Sequence, residues 1–165
     1  GIYGSRDPDR YVVVSRDKDM MTIPGWIYNP DHNDRPIRVY QHDANRAWMM
    51  QTMMGDSTDG YTGIPKIGPK KAQEILADPR RMVRHVRTLK SGKNKGKQKV
   101  EWKPADSCSL WEAMVSHAES KGMTEAELLV QARVARILRT EEYDFETNTI
   151  RLWNPHGRFQ EMSNA

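Results

Sequence analysis

Two pairs of aspartates carry the clearest chemistry in this chain. Asp17 and Asp19 stand two residues apart directly after the β-branched run Val12 to Val14, in "VVVSRDKD". In extended backbone that spacing turns both carboxylates to one side. Asp56 and Asp59 stand three apart in "GDSTDG", and one helical turn would again put them on a shared face. Four converging carboxylates repel one another unless a cation sits among them, and an all-oxygen ligand set suits magnesium or manganese. Two such ions about 4 Å apart stabilise the attacking and leaving oxygens of a phosphodiester displacement. Each motif read alone also fits an ordinary turn, since Asp, Ser and Gly are turn residues.

The segment after the second pair favours the metal reading. In "GIPKIGPKKA" Gly63 and Gly68 flank an apolar-Pro-Lys-apolar turn, with Ile67 before the second glycine, that leads into a helix. Glycine lets backbone approach a phosphate closely, and the amides at a helix start donate hydrogen bonds with the dipole behind them. Lys66, Lys70 and Lys71 add positive charge. The same pattern also serves as a plain helix connection. Its position beside the acids suggests a division of labour. The hairpin holds a nucleic-acid backbone without reading bases, and the aspartates hold the metal that cuts it.

These groups need elements to position them. Val12 to Val14 lacks alternation, which predicts a strand buried on both faces of a parallel sheet. Ile27-Tyr28 and Ile37 to Tyr40 predict two more short strands joined by turns. Asp43 is placed to cap a helix from Ala44 to Met54, with Ala47, Met50 and Met54 on its apolar face near Trp48. Pro69 opens another helix to Leu76, and Pro79 closes it. Ser109 with Glu112, and Thr124 with Glu127, are reciprocal capping pairs, and Met123 is spaced to staple against Leu128. Tyr143 and Phe145, then Ile150 and Leu152, read as a hairpin. Residues 157–165 read as a frayed tail.

Bulk composition narrows the class. The 165 residues suffice for one domain with a core, or one and a fraction. Net charge is only +4, but Arg80 to Lys103 carries ten Lys or Arg and the single acid Glu101. That local field suits a polyanion, and the segment reads equally as a mobile basic loop. A lone Cys108 excludes a disulfide framework and a cysteine zinc site within the chain, and fits a reducing compartment. No apolar run approaches the roughly 18 residues that cross a bilayer. His32, His42, His85, His117 and His156 lack metal-ligand spacing. Trp48, Trp111 and Trp153 read as packing residues. Trp102 lies among lysines in "KVEWKP", where it is either a base-stacking platform or a loop anchor. The start at Gly1 and the opening "GIYGSRDPDR" lead us to expect a processed or truncated chain.

"VVVSRDKDMMTIPG" and "GDSTDGYTGIPKIGPKKA" resemble the second metal-ligand cluster and the helix-hairpin-helix region of the 5′ nuclease (flap endonuclease) superfamily. "LKSGKNKG", "SLWEAM", "GMTEAELL", "ARILRTEEYDF" and "IRLWNP" narrow the likeness to the C-terminal half of the 5′ to 3′ exonuclease of short-tailed bacteriophages. The resemblance implies an α/β fold: residues 1–43 as the end of a PIN-like nuclease core with a parallel sheet, 44–79 as the helix-hairpin-helix DNA-binding region, 80–107 as a basic loop, and 108–165 as C-terminal helices and a small hairpin. It implies that Asp17, Asp19, Asp56 and Asp59 are catalytic ligands of a two-ion magnesium or manganese site, and that Gly63, Lys66, Ile67, Gly68, Lys70 and Lys71 bind duplex backbone, with potassium held at hairpin carbonyls. The implied activity is 5′ to 3′ exonuclease action on double-stranded DNA with a free 5′ end or flap, and on RNA/DNA hybrid, in the cytoplasm of an infected bacterium during replication, recombination and host DNA breakdown. The family's other acidic cluster, carried by the N-terminal half, is absent from this sequence. Weak metal binding and little catalysis are therefore expected of the chain by itself. The competing reading is a non-catalytic duplex-DNA-binding module, or one subunit of a split nuclease; a purely structural protein would not need the four aspartates together.

Overall fold

The computed structural model describes residues 1–156; the expected tail at 157–165 lies outside the described residues. A short helix, α1 (Ile2–Arg6), leads into a three-stranded sheet of β1 (Val12–Val14), β2 (Gly25–Tyr28) and β3 (Ile37–Val39) in that order. β1 runs parallel to β2, with Val13 opposite Ile27. β2 and β3 are antiparallel, so the expected parallel sheet is a mixed one. Nor is β1 buried on both faces: Val13 packs against the small core of Ile27, Val39 and Ala44, whereas Val12 and Val14, on the opposite face, are 46% and 65% exposed, since nothing among the described residues covers that face. The β-branched run was enough to predict a strand, but burial depends on what lies over it.

Between β1 and β2 the chain folds into a short 3-10 helix, Lys18–Thr22, with Asp17 as its N-cap. Asp17 is extended, but the extended backbone expected to continue to Asp19 gives way to the 3-10 helix from Lys18 onward. Helix α2 spans Gln41–Met54 and starts three residues before the expected Ala44. Tyr40 is its N-cap, and Asp43 sits in the first turn instead, where a carboxylate favours the positive end of the dipole. Helix α3 is Pro69–Ala77, with Pro69 at its first position as expected.

The segment expected as a basic loop is a long two-stranded ribbon, β4 (Arg80–Thr88) and β5 (Gln98–Ser107), paired from Arg80 with Ser107 to Thr88 with Gln98. On one face Met82, Arg84, Val86 and Thr88 stand opposite Pro104, Trp102, Val100 and Gln98, a mixed apolar and polar face in which the charges leave no clean apolar alternation. The Ser116 hydroxyl accepts the Met82 amide at 2.9 Å and so fixes the ribbon's base to helix α4 (Leu110–Glu119). Both capping boxes form as expected, at α4 and at α5 (Glu125–Val134). A small hairpin, β6 (Tyr143–Asp144) with β7 (Thr149–Ile150), follows.

The main core lies between α2, α3, α4 and α5, where Met53, Ile64, Ile75, Met114 and Leu128 are buried. Trp153 closes it, meeting Trp48 and Trp111 edge-on at centroid distances of 4.8 and 5.1 Å.

A buried polar clasp joins this core to the 3-10 helix. The Arg139 guanidinium donates to the Thr22 carbonyl at 2.6 Å and to Asn45 Oδ1 at 2.7 Å, and is 1% exposed. Its backbone amide donates to Glu142, whose carboxylate also takes Arg136 Nε at 2.6 Å. Arg136 in turn lies over the Trp48 ring. Burial, then the Arg136 charge, push the Arg139 guanidinium down to about 10. Arg139→Met leaves the Thr22 carbonyl and Asn45 Oδ1 without their donor, while the Arg136–Glu142 pair remains. The variant should lower stability by about 2 kcal/mol, read as a fall in the urea midpoint; an unchanged midpoint would show that these two hydrogen bonds contribute nothing net.

Candidate metal and nucleic-acid site

The acidic site forms where the 3-10 helix meets the end of α2. Asp19, Asp56 and Asp59 each offer a carboxylate oxygen within 4.8 Å of the others. Asp17 is not part of this trio: its Oδ1 accepts the Asp19 amide at 2.9 Å in its capping role. Its charge is still felt at Asp19. Burial, then Asp17, then a hydrogen bond with Asp59 push the Asp19 carboxyl above the usual carboxylate range. Asp56 is held the other way, because Lys18 Nζ donates to its Oδ2 at 2.7 Å and the Thr58 amide to its Oδ1 at 2.8 Å.

Asp56 and Asp59 do not meet through a helical turn. α2 stops at Met54; Gly55 follows as C-cap at φ 74°, and residues 57–60 make a turn closed by the Asp56–Tyr61 backbone bridge. Two glycines make this possible. A Cβ on Gly63 would lie 2.3 Å from the Gly55 nitrogen, and one on Gly55 2.3 Å from the Thr62 carbonyl carbon, both at positive φ. Backbone thus packs on backbone, and this contact seats the aspartate turn beside the hairpin.

Four residues outside the aspartates shape the site. Gln51 donates from its side chain to Asp19 Oδ1, and its own oxygen is buried without a hydrogen bond among the described residues. Tyr61 is buried under the cluster, and burial followed by the charges of Asp19, Asp56 and Asp59 pushes its hydroxyl up to about 12, so it stays protonated. Gln131 Oε1 accepts the amides of Thr62 and Gly63, each at 3.0 Å. Lys18 stands between Asp17 and Asp19 and could have been noticed there. Gln51 and Gln131 carried no signal, since nothing in their own neighbourhoods points to a site.

The hairpin separates the expected DNA-binding residues into two sets. Lys66, Gly68, Lys70 and Lys71 are exposed. Gly63 and Ile67 are buried, and the Gly63 amide is already taken by Gln131. Those two shape the loop rather than its outer surface. Lys66 itself adopts φ 64°, a left-handed conformation unusual for a side chain other than glycine or asparagine. The Lys71 ammonium pairs with Glu74 at 3.0 Å.

The donor set fits divalent ions: carboxylate oxygens converge, and the charge on Asp19 is poorly compensated. Among the described residues no helix is long and apolar enough to cross a membrane.

Two curated phage nucleases are similar to the chain. The chain is 37% identical to an exodeoxyribonuclease of Enterobacteria phage T3 over 156 residues, which is 93% of this chain and 50% of that protein. It is 35% identical to an exonuclease of Escherichia phage T7 over the same length, 93% of this chain and 51% of that one. The chain thus spans about half the length of the curated relatives it matches. No protein-family model matches it, and no solved structure matches it significantly.

Proposed function

Because this chain is homologous to the phage exonucleases along nearly its whole length, we propose that it is the C-terminal part of a metal-dependent 5′ to 3′ exonuclease acting on duplex DNA. The observation that carries this reading is the acidic trio seated directly against a lysine-bearing hairpin. Asp19, Asp56 and Asp59, joined by Asp17, hold part of a two-ion magnesium or manganese site that the carboxylates of an N-terminal half complete. Once bound, the ions supply Lewis-acid stabilisation to the attacking and leaving oxygens of a phosphodiester displacement. The chain's own residues do the rest. Gln51 holds the Asp19 carboxylate in one orientation, Lys18 offsets part of the negative charge, and protonated Tyr61 supports the aspartate turn from below. Lys66, Gly68, Lys70 and Lys71 grip the duplex backbone, and hairpin carbonyls hold potassium.

Substrates of this reading are duplex ends and 5′ flaps, with RNA/DNA hybrids where primers are removed, in an infected cell.

The test of the grip is Lys66→Glu with Lys70→Glu. Each lost phosphate contact removes about one unit of salt dependence, so the pair should weaken duplex binding by at least about 10-fold at low salt and lower the slope of log K against log salt by about two. Binding unchanged in strength and slope would make the hairpin a plain connector.

A further inference from the structure

A groove of about 1050 Å³ runs between the hairpin and α3 on one side and the β4–β5 ribbon on the other. Its walls include Lys66 and Lys71 from the hairpin side, Met82 and Trp102 from the ribbon, and Lys121 after α4. Trp102 lies opposite Arg84 across the ribbon, and Val86 opposite Val100 occupies the next pair on that face. The aromatic ring therefore stands on a partly apolar strand face beside a cationic wall.

Trp102 differs from the chain's other tryptophans. Trp48 donates to the Ala132 carbonyl and Trp111 to Glu125, Trp153 is clamped between those two rings, and Arg38 covers Trp26. Trp102 is only half-buried and has no hydrogen bond, aromatic partner or cation over its ring among the described residues. The charges beside it are unevenly matched. Lys71 is paired with Glu74 and Arg80 with Asp78, whereas Lys66 and Lys121 have no ion pair among the described residues. The groove's surplus is positive. His117, buried in its wall, has its imidazole pushed below the ordinary range by burial and then by Lys71 and Lys121.

We infer that this groove takes an unpaired nucleotide beside the duplex, its base stacked on Trp102 and its phosphates met by Lys66 and Lys121. Every base has a π-face, so such a platform accepts any sequence. The inference rests on the reading that the neighbouring hairpin grips duplex DNA, and it adds a second, separable contact. It also gives the ribbon a role that charge alone does not: β4 and β5 hold the ring at the mouth of the groove.

The experiment compares this chain's binding, without added metal, to a blunt duplex and to the same duplex carrying a short unpaired tail. The tail should increase affinity in the wild type, and Trp102→Leu should remove that increment, about 10-fold, while blunt-duplex affinity stays unchanged. Trp102→Phe should keep most of it, since a ring remains. Equal affinity of the wild type for both probes, or a tail preference surviving in Trp102→Leu, overturns the inference. So does equal loss on both probes in Trp102→Leu, which would mark a structural role. Lys70→Glu, which alters the hairpin outside the groove wall, separates the two readings. If that variant leaves blunt-duplex binding intact while Trp102→Leu still abolishes the tail increment, the hairpin grip fails and the stacking site stands.

Discussion

Asp19→Asn and Asp56→Asn should each abolish cleavage by this chain when it is joined to the N-terminal half of a phage exonuclease, by at least about 100-fold, while leaving duplex binding intact. Loss of groups that only orient a metal ligand already costs 10- to 100-fold, and these carboxylates are placed to be the ligands themselves. Asparagine keeps the shape and an oxygen for the Gln51 or Thr58 hydrogen bond but removes the negative charge. The two variants should part in stability. The Asp19 carboxylate is disfavoured by burial and by Asp17, so Asp19→Asn should raise the melting temperature of the metal-free chain even as activity disappears. Asp56 is stabilised by Lys18 and Thr58, so Asp56→Asn should lower it slightly. Release of labelled 5′ nucleotides in magnesium, beside thermal unfolding without metal, reads both. Normal turnover in either variant removes that residue from the metal site, and a fall in melting temperature for Asp19→Asn contradicts the picture of an uncompensated charge.

The largest stability effect should come from Gly63→Ala. An added Cβ would stand 2.3 Å from the Gly55 nitrogen and 2.5 Å from the Met54 carbonyl carbon, at φ 64°. Those neighbours are backbone, so they cannot swing away as a side chain would. We expect a loss of about 4 kcal/mol, which for a domain of this size lowers the melting temperature by roughly 8 to 16 °C. Gly60→Ala, at φ 77° but with open space around it, should cost only about 1 kcal/mol. Comparable losses for the two would show that backbone conformation, not the close approach, sets the requirement at Gly63. Because the Gly55–Gly63 contact holds the Asp56 turn against the hairpin, Gly63→Ala should also reduce metal-dependent cleavage in the joined protein.

Short-range signals were legible in the sequence because their causes are local. Ser109 with Glu112 and Thr124 with Glu127 cap their helices within a single turn, and Pro69 begins α3 by its own fixed φ. The nearness of acid and base in "GDSTDGYTGIPK" likewise followed from the chain itself, since a few residues of turn leave the two groups little room to separate. The ribbon was not legible because ten cations leave no apolar alternation there: Val83 and Val86 stand three apart on opposite faces, and both are exposed in the fold.

Local sequence settles which carboxylates and lysines are available and which helices and turns carry them. Tertiary structure decided which of them meet. Asp17 caps a 3-10 helix beside the trio, Gly63 and Ile67 turned inward, and Lys18 closed on Asp56 from 38 residues away. The supporting contacts are longer-range still: Gln131 reaches the Gly63 amide across 68 residues, and Arg139 reaches the Thr22 carbonyl across 117. Each exists because a buried amide or carbonyl must find a partner once water is excluded. Which partner it finds depends on the packing of α2 and α5, and no local pattern encodes that.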